Sequence, residues 1–115
     1  MIYRRQVWLV SLDEETIGRE QAGTRPALVL SNNEFNSRSN SGLVVIIPIT
    51  TSIRPMASHV PVKQPEGGLM YDSSIMCEQV KSISTERLIR PFGTVSEATI
   101  GKVEEIISVL LELPF

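Results

Sequence analysis

The sequence is poor in the residues that build disulfides and metal sites. Among its 115 residues it has one cysteine, Cys77, and one histidine, His59. A lone cysteine cannot form an internal disulfide, and one histidine with one cysteine cannot supply the ligands of a zinc site. The acidic residues match no calcium-binding loop, and glycine-rich phosphate-binding motifs are missing. We therefore expect neither a metal nor another cofactor.

Long hydrophobic runs are also lacking. No apolar stretch approaches the roughly 20 residues that cross a bilayer, and the N-terminus lacks the apolar centre and cleavage site of a secretory signal. With a single cysteine, these features are typical of a cytoplasmic protein without membrane attachment, which is what we expect. A length of 115 residues suits one domain, which we predict to span residues 1–115.

Strong charge of either sign is absent. The formal net charge is −2, with a slight excess of basic residues in the first 63 positions and an excess of acidic residues after them. The chain is therefore not a polybasic nucleic-acid binder. An enzyme that must release its product has no need to be one, so the charge does not exclude a nucleic-acid substrate.

Alternating or continuous apolar segments predict several β-strands. The predicted strands are 6–12, 26–31, 43–50, 59–62, 74–83 and 92–95. A polar connection over 32–42 can hold one helical turn, and another short helical turn is predicted at 86–89. Because Pro48 has no N–H group, pairing of its strand should break or reach an edge of the sheet just before Thr50.

The C-terminal segment predicts an amphipathic helix. Ser96 or Thr94 can cap its N-terminus, and Pro114 ends it. Its apolar residues recur at helical spacing: Ile100, Val103, Ile107, Leu110 and Leu111. Several strands with one terminal helix predict a mainly β fold, a small barrel or curled sheet with the helix packed on it.

The segment 13–24 predicts a long loop, and loops of this length in compact domains are usually functional. It leads into a strand and places Glu20 and Arg25 five residues apart. Arg25 precedes a proline and is therefore held extended, and its planar guanidinium can bind two phosphate oxygens. Alternatively, Glu20 and Arg25 form a surface ion pair that only steadies the loop.

Other polar side chains are weaker candidates for a site. Thr50, Thr51 and Ser52 end a buried strand and can bind a phosphate, or they are an ordinary solvated strand end. Gln79 is a polar residue within an apolar strand, which is equally typical of an outward-facing position. His59 lies in an irregular segment and is a poor candidate for a general base.

Taken together, these motifs resemble the MazF/PemK/Kid toxin family. The resemblance rests on WLVSL at 8–12, GREQAGTRPALVLSN at 18–32, FN at 35–36, PITTS at 48–52, EQVKSI at 78–83, RL at 87–88 and Gly93 before the terminal helix. It covers nearly the whole chain in order, and the segment 18–31 is its most specific part. The sequence departs from the family at Arg5-Gln6, where Arg-Gly-Asp is usual.

The resemblance implies an SH3-like (PemK-like) small barrel and a homodimer. It implies the toxin of a type II toxin–antitoxin system, an endoribonuclease that cleaves single-stranded RNA, often messenger RNA, at specific sequences without a metal. A cognate antitoxin would block the RNA groove with a flexible tail. Metal-free cleavage normally uses the substrate's 2′-hydroxyl as nucleophile and leaves 2′,3′-cyclic phosphate and 5′-hydroxyl ends.

The resemblance also implies roles for individual residues. Arg25 would be the essential catalytic residue that stabilises charge on the phosphoryl oxygens, Glu20 the general base, and Thr50 the group that holds the scissile phosphate. Residues predicted to bind RNA are Gln21, Thr24, Ser31, Thr51, Ser52 and Gln79. Phe35, Asn36 and the segment 54–71 are predicted to read unpaired bases.

Two other classes of function remain open at this point. One is a toxin similar to the CcdB toxins, which binds and poisons a protein target such as a topoisomerase without cleaving RNA. The other is an inert regulatory partner that keeps the fold for dimerisation alone. The set of Glu20, Arg25 and Thr50 favours the ribonuclease over both, because neither a pure binder nor an inert partner needs these groups.

Overall fold

The computed structural model of the chain describes residues 1–12, 23–38 and 41–114. These residues form seven strands: β1 (Gln6–Leu12), β2 (Gly23–Val29), β3 (Leu43–Thr50), β4 (His59–Val62), β5 (Ser73–Met76), β6 (Lys81–Ser84) and β7 (Leu88–Thr94). They also form two α-helices, α1 (Asn33–Arg38) and α2 (Glu97–Leu110), and single 3-10 turns at Glu66–Gly68, Cys77–Gln79 and Thr85–Arg87.

All strand pairs are antiparallel. The sheet runs in the order β4-β5-β3-β2-β1-β7, and β6 pairs with the first half of β3. In the ranges given above, the outermost strands β4 and β7 do not pair with each other, so the hydrogen-bond ladder does not close into a ring. The predicted mainly β fold with a C-terminal helix is confirmed.

The sheet buries apolar side chains on both of its faces, as the alternation along β2 shows. Leu28 belongs to the larger core cluster, whereas its neighbours Ala27 and Val29 belong to a smaller one. Helix α2 covers the larger cluster with Ile100, Val103 and Ile107. Burial of each such side chain contributes about 1.5–3 kcal/mol, so the two clusters hold the central strands in place.

Pro48 interrupts the pairing of β3 on one side, as predicted. The Val45 carbonyl accepts a hydrogen bond from the Leu30 N–H, so odd-numbered residues of β3 direct their backbone groups toward β2. Pro48 is even-numbered, so the position where its N–H group is missing faces the other side of β3, where β5 and β6 pair. On that side β6 pairs with β3 up to Ile46, and β5 pairs with it from Ile49.

The predicted strand 74–83 is wrong as a single element. The chain forms β5, then the 3-10 turn Cys77–Gln79, then β6. The Cys77 N–H donates to the Ser58 carbonyl, and the Val80 N–H closes the turn on the Cys77 carbonyl. The turn shifts the chain so that β5 pairs with the end of β3 and β6 pairs with its beginning. The alternation of apolar residues along 74–83 does not indicate this shift.

The predicted C-terminal helix is confirmed with its cap, but its apolar stripe is shorter. The Ser96 hydroxyl accepts a hydrogen bond from the Thr99 N–H, 3.2 Å away, so Ser96 rather than Thr94 is the N-cap. Ile107 is buried, whereas Leu110 and Leu111 are 46% and 56% exposed. Leu110 is the last residue of the helix and Leu111 its C-cap, so the stripe that packs on the sheet ends at Ile107.

Several predicted boundaries shift. Strand β2 begins at Gly23 rather than at position 26 and ends at Val29, because β1 pairs with it from Gly23 onward. The helical turn predicted at 86–89 is a 3-10 turn at Thr85–Arg87, and the extended piece predicted at 92–95 is the end of a longer strand, β7. The polar connection holds the short helix α1. The strand predicted at 59–62 is confirmed as β4.

The sequence differs from the usual Arg-Gly-Asp of the family at Arg5-Gln6, and the backbone at this point is unusual. Arg5 has a φ of 78°, a left-handed conformation that costs a residue with a Cβ atom about 1–2 kcal/mol and that glycine adopts freely. The Arg5 guanidinium donates two hydrogen bonds to the Val95 carbonyl, at 3.1 and 2.7 Å, which offset this cost. The Gln6 side chain accepts hydrogen bonds from the Tyr3 N–H and the Trp8 indole.

Candidate active site

The start of β2 and the end of β3 lie at the same edge of the sheet because the two strands are antiparallel. The register pairs Ala27 with Pro48, and its continuation by two residues sets Arg25 opposite Thr50. A cleft of about 330 Å³ opens at this edge. Its lining residues are Gly23, Thr24, Arg25, Pro26, Ile49, Thr50, Thr51 and Ser73.

The backbone of Arg25 is positioned by its pairing with Val10 of β1 and by the pairing of β2 with β3 that begins two residues further along. Gly23 begins the strand with a φ of +76°, a conformation that favours glycine and turns the chain into the sheet. The half-buried Arg25 thus enters the cleft from a fixed backbone rather than from a loose loop.

Thr50 is only 9% exposed although it lines the cleft. Its hydroxyl oxygen accepts a hydrogen bond from the Ser52 N–H, at 3.0 Å. Since a hydroxyl has one donor and two acceptor positions, the proton of Thr50 remains available to an anion in the cleft. The same bond makes a tight turn at the strand end, which keeps Thr51 in the cleft lining.

Ser73 lines the cleft and was missed by the sequence-based predictions. It is 2% exposed, and its hydroxyl donates to the Tyr71 carbonyl at 2.8 Å. It begins β5, and because Thr50 pairs with Ser74, continuation of this register sets Ser73 opposite Thr51. No local motif marks this position, so only the pairing of β3 with β5 identifies it.

Of the predicted RNA-binding residues, Thr24 and Thr51 lie in the cleft and three others do not line it. The Ser31 hydroxyl donates to the Asn36 side chain and accepts from the Val45 N–H, so it ties β2 to α1 and β3. Ser52 is exposed at the turn after β3, and Gln79 lies in the 3-10 turn after β5. Glu20 and Gln21 lie outside the described residues.

His59 belongs to a separate polar cluster. Its Nε2 lies 2.9 Å from a carboxylate oxygen of Glu78, whose other oxygen accepts a hydrogen bond from the Ser58 hydroxyl. Partial burial raises the pKa of Glu78, but the hydrogen bonds from Ser58 and His59 outweigh it and lower the pKa overall. His59 does not line the cleft, which agrees with the prediction that it is a poor candidate for a general base.

The cleft has the features of an anion site. Arg25 is the only cation among its described lining residues, and the hydroxyls of Thr24, Thr50 and Thr51 are grouped with it. A guanidinium and several hydroxyls can together bind the oxygens of one phosphate and stabilise added negative charge on them. Over the described ranges, no group of three or more potential metal ligands is found.

Comparison with known proteins assigns the family. The family model of the PemK-like, MazF-like toxins of type II toxin–antitoxin systems matches residues 3–111. Among curated proteins, the endoribonuclease MazF9 of Mycobacterium tuberculosis is 35% identical over 117 residues, covering 98% of both chains. The endoribonuclease EndoA of Bacillus subtilis is 28% identical over 113 residues, covering 98% of this chain and 97% of its own.

Solved structures agree in fold. The Mycobacterium tuberculosis toxin MazF-mt6 superimposes with a TM-score of 0.80 at 25% identity, covering 96% of this chain and all of its own. A mycobacterial endoribonuclease in complex with its cognate antitoxin superimposes with a TM-score of 0.81 at 23% identity, covering 100% of this chain and 99% of its own. The fold is that of small β-rich toxins.

The chain belongs to the PemK-like, MazF-like family of type II toxins, and the resemblance inferred from the motifs is confirmed. The comparisons lend no support to the alternative of a CcdB-like poison. Within the described part of the chain, neither α-helix has the length and apolar character required to cross a membrane.

Proposed function

We propose that this toxin is a sequence-specific endoribonuclease that cleaves single-stranded RNA without a metal. The observation that carries the proposal is the placement of Arg25 and Thr50 at one edge of the sheet, in the same cleft. The endoribonucleases MazF9 and EndoA, which match this chain along nearly their whole length, support it.

The proposed reaction is an internal transesterification. The 2′-oxygen of the ribose attacks the adjacent phosphorus, the bond from phosphorus to the 5′-oxygen breaks, and the products carry a 2′,3′-cyclic phosphate and a 5′-hydroxyl. A general base takes the proton of the 2′-hydroxyl, and the leaving 5′-oxygen gains a proton. Arg25 stabilises the extra charge on the phosphoryl oxygens, and the Thr50 hydroxyl donates to one of them.

The remaining site residues are proposed from the family resemblance. Glu20 is the candidate general base, and Gln21 is a candidate RNA-binding residue beside it. Thr24 and Thr51 contact the phosphate or the ribose from the cleft wall, which their positions support. Ser31 keeps a structural role through its hydrogen bonds, and Ser52 and Gln79 would contact RNA outside the cleft.

We further propose the setting in which the toxin acts. The chain forms one domain over residues 1–115, pairs with a second copy as a homodimer, and is held inactive in the cytoplasm by a cognate antitoxin. The solved complex of a mycobacterial endoribonuclease with its antitoxin supports the last point. The larger core cluster, which joins residues from Val7 to Ile107, supports the single domain.

The test is incubation of the purified, antitoxin-free protein with long unstructured RNA in EDTA, beside the Arg25→Ala and Arg90→Ala variants. Arg90 is exposed on β7 and does not line the cleft, so it controls for the loss of one positive charge. We expect discrete fragments with 5′-hydroxyl ends from the wild type and from Arg90→Ala. For Arg25→Ala we expect at least about a 100-fold lower rate.

Two results would contradict the proposal. The first is intact RNA after incubation with folded wild-type protein, provided that the RNA contains every short sequence. The second is cleavage by Arg25→Ala at the wild-type rate. Circular dichroism and thermal unfolding of each variant check that the fold is preserved.

A further inference from the structure

A second cleft of about 440 Å³ adjoins the proposed catalytic cleft. Its described lining residues are Thr51, Gln64, Tyr71 and Asp72, and it shares Thr51 with the first cleft. A ligand that places a phosphate beside Arg25 and Thr50 therefore continues directly into this second space. In single-stranded RNA, the group next to each phosphate is a nucleoside, whose base is free to leave the stack.

The second cleft suits a base rather than a phosphate. The Tyr71 side chain is 66% exposed, so a face of its ring is accessible for stacking, as in other proteins that bind unpaired bases. The Asp72 carboxylate is negatively charged and repels phosphate oxygens, so the sugar–phosphate chain is disfavoured in this space. A carboxylate only accepts hydrogen bonds, so it selects a base that presents N–H groups.

Asp72 is fixed in place by the chain opposite it. Its Oδ1 accepts a hydrogen bond from the Gln64 backbone N–H, at 3.1 Å. Its Oδ2 has no hydrogen bond to another residue in the described ranges, so this oxygen is available to a ligand. Because Oδ1 has a further lone pair, the carboxylate can face two neighbouring donors at once.

We propose that this second cleft is a guanine-selective base subsite of the RNA groove, with Tyr71 as the stacking platform and Asp72 as the specificity-determining residue. Guanine presents a ring N–H and an amino group side by side on its Watson–Crick edge. Adenine and cytosine place an acceptor nitrogen beside their amino group, and uracil places its ring N–H between two carbonyls, so each presents an acceptor to the carboxylate. The proposal rests on the proposed function for the identity of the ligand as RNA.

The first experiment maps cleavage sites of a randomised RNA pool by wild type, Asp72→Asn, Tyr71→Ala and Glu105→Gln. Asparagine keeps the Oδ1 acceptor for the Gln64 N–H but replaces the free oxygen with a donor. We expect a guanine preference at one position near the cut in the wild type and a loss of about 10-fold or more of it in Asp72→Asn. Glu105 is exposed on α2 and lines neither cleft, so Glu105→Gln should keep the preference.

The second experiment measures binding without cleavage, using fluorescent 2′-O-methyl heptamers of uridine in which each position in turn carries guanosine or inosine. Inosine lacks the amino group of guanosine. We expect guanosine at one position to tighten binding to the wild type by about 10-fold and inosine by less, and Asp72→Asn to abolish the difference. Tyr71→Ala should weaken both oligonucleotides alike, by roughly 10-fold.

The outcomes separate the two proposals. If the wild type cleaves RNA but its base preference is the same in Asp72→Asn, the guanine subsite is wrong and the ribonuclease stands. If guanosine-dependent binding through Asp72 is found without cleavage, the subsite stands and the ribonuclease fails. A wild type that neither cleaves nor distinguishes guanosine from uridine would overturn both.

Discussion

At the scale of single residues, hydrogen bonds within the fold decide which polar groups of the candidate site remain available to a ligand. The Thr50 oxygen accepts from the Ser52 N–H, so its proton is left for a ligand. The Ser31 hydroxyl, by contrast, both donates and accepts inside the fold. Two hydroxyls from the same family motifs thus have different roles, and what distinguishes them is the set of backbone groups within reach.

We predict that replacing Thr50 with valine lowers kcat/KM much more than replacing it with serine. Thr50→Val keeps the shape of the side chain but removes the hydroxyl, so a hydrogen bond to the charged phosphoryl group is lost and kcat/KM should fall about 10-fold or more. Thr50→Ser keeps the hydroxyl and should stay within about 3-fold of the wild type. Initial rates on a short fluorescent RNA measure both, and equal rates for Val and Ser would rule out the proposed contact.

At the scale of elements, the 3-10 turn Glu66–Gly68 joins the start of helix α2 to the sheet. One carboxylate oxygen of Glu66 accepts hydrogen bonds from the Ser96 N–H at 3.0 Å, the Ser96 hydroxyl at 3.2 Å and the Thr99 hydroxyl at 2.5 Å. Partial burial raises the pKa of Glu66, but these hydrogen bonds and the charge of Lys102 outweigh it and lower the pKa. A negative charge at the N-terminus of a helix is also favoured by the helix dipole.

This arrangement predicts a stability that depends on pH. Because the pKa of Glu66 is lowered in the folded state, its contribution is fully present above the ordinary value of 4.5 and is lost as the pH falls below it. Glu66→Gln should therefore lower the free energy of unfolding by about 1–2 kcal/mol at pH 7 and by less at pH 3. Urea unfolding at both pH values measures this, with Glu105→Gln as the control. An equal loss at both pH values would contradict a role for the charge.

Close packing of this turn against β7 gives a second prediction at the same scale. Gly68 has a φ of +73°, and a Cβ atom there would lie 2.1 Å from the Phe92 carbonyl oxygen. Gly68→Ala should therefore destabilise the protein by about 3 kcal/mol or more. Gly101 lies in α2, and a Cβ atom there would meet no neighbouring segment within 4 Å, so Gly101→Ala should stabilise by about 0.5–1 kcal/mol.

Thermal or urea unfolding of the two alanine variants tests the packing directly. The opposite signs make each variant a control for the other, since both replace one glycine by alanine. A Gly68→Ala protein as stable as the wild type would show that the turn does not lie against β7 as described.

At the scale of the whole molecule, the protein has a net charge of −2. The one cation among the described residues of the two clefts is Arg25. We expect RNA bound in these two clefts to be held mainly by hydrogen bonds and stacking, with little release of counterions. Such a binding mode also allows the cleaved RNA to leave.

We expect the salt dependence of RNA binding to be shallow. For single-stranded nucleic acid the slope of log K against log salt is about −0.7 per neutralised phosphate, so one cation among the described residues of the two clefts predicts a slope of about −0.7. Fluorescence anisotropy with a 2′-O-methyl oligonucleotide between low and moderate salt measures it. A slope near −5 would instead indicate an extended basic surface outside the two clefts.

Local sequence patterns were enough to predict the family, the mainly β fold and two residues of the candidate site. Arg25 is recognisable because it follows a glycine-containing segment and precedes a proline, and Thr50 because it ends an apolar strand after Pro48. The Ser96 cap and the stripe from Ile100 to Ile107 were likewise readable. All of these signals are local, so neighbouring residues in the chain carry them.

Which of these residues meet depends on the pairing of strands that are distant in sequence. Arg25 and Thr50 share a cleft because of the register between β2 and β3, and Ser73 joins them through the register between β3 and β5. The break of the predicted strand 74–83 and the inward hydrogen bonds of Ser31 also depend on partners distant in sequence. Strand register follows from how both faces of the sheet pack, which is a property of the whole chain and not of any one segment.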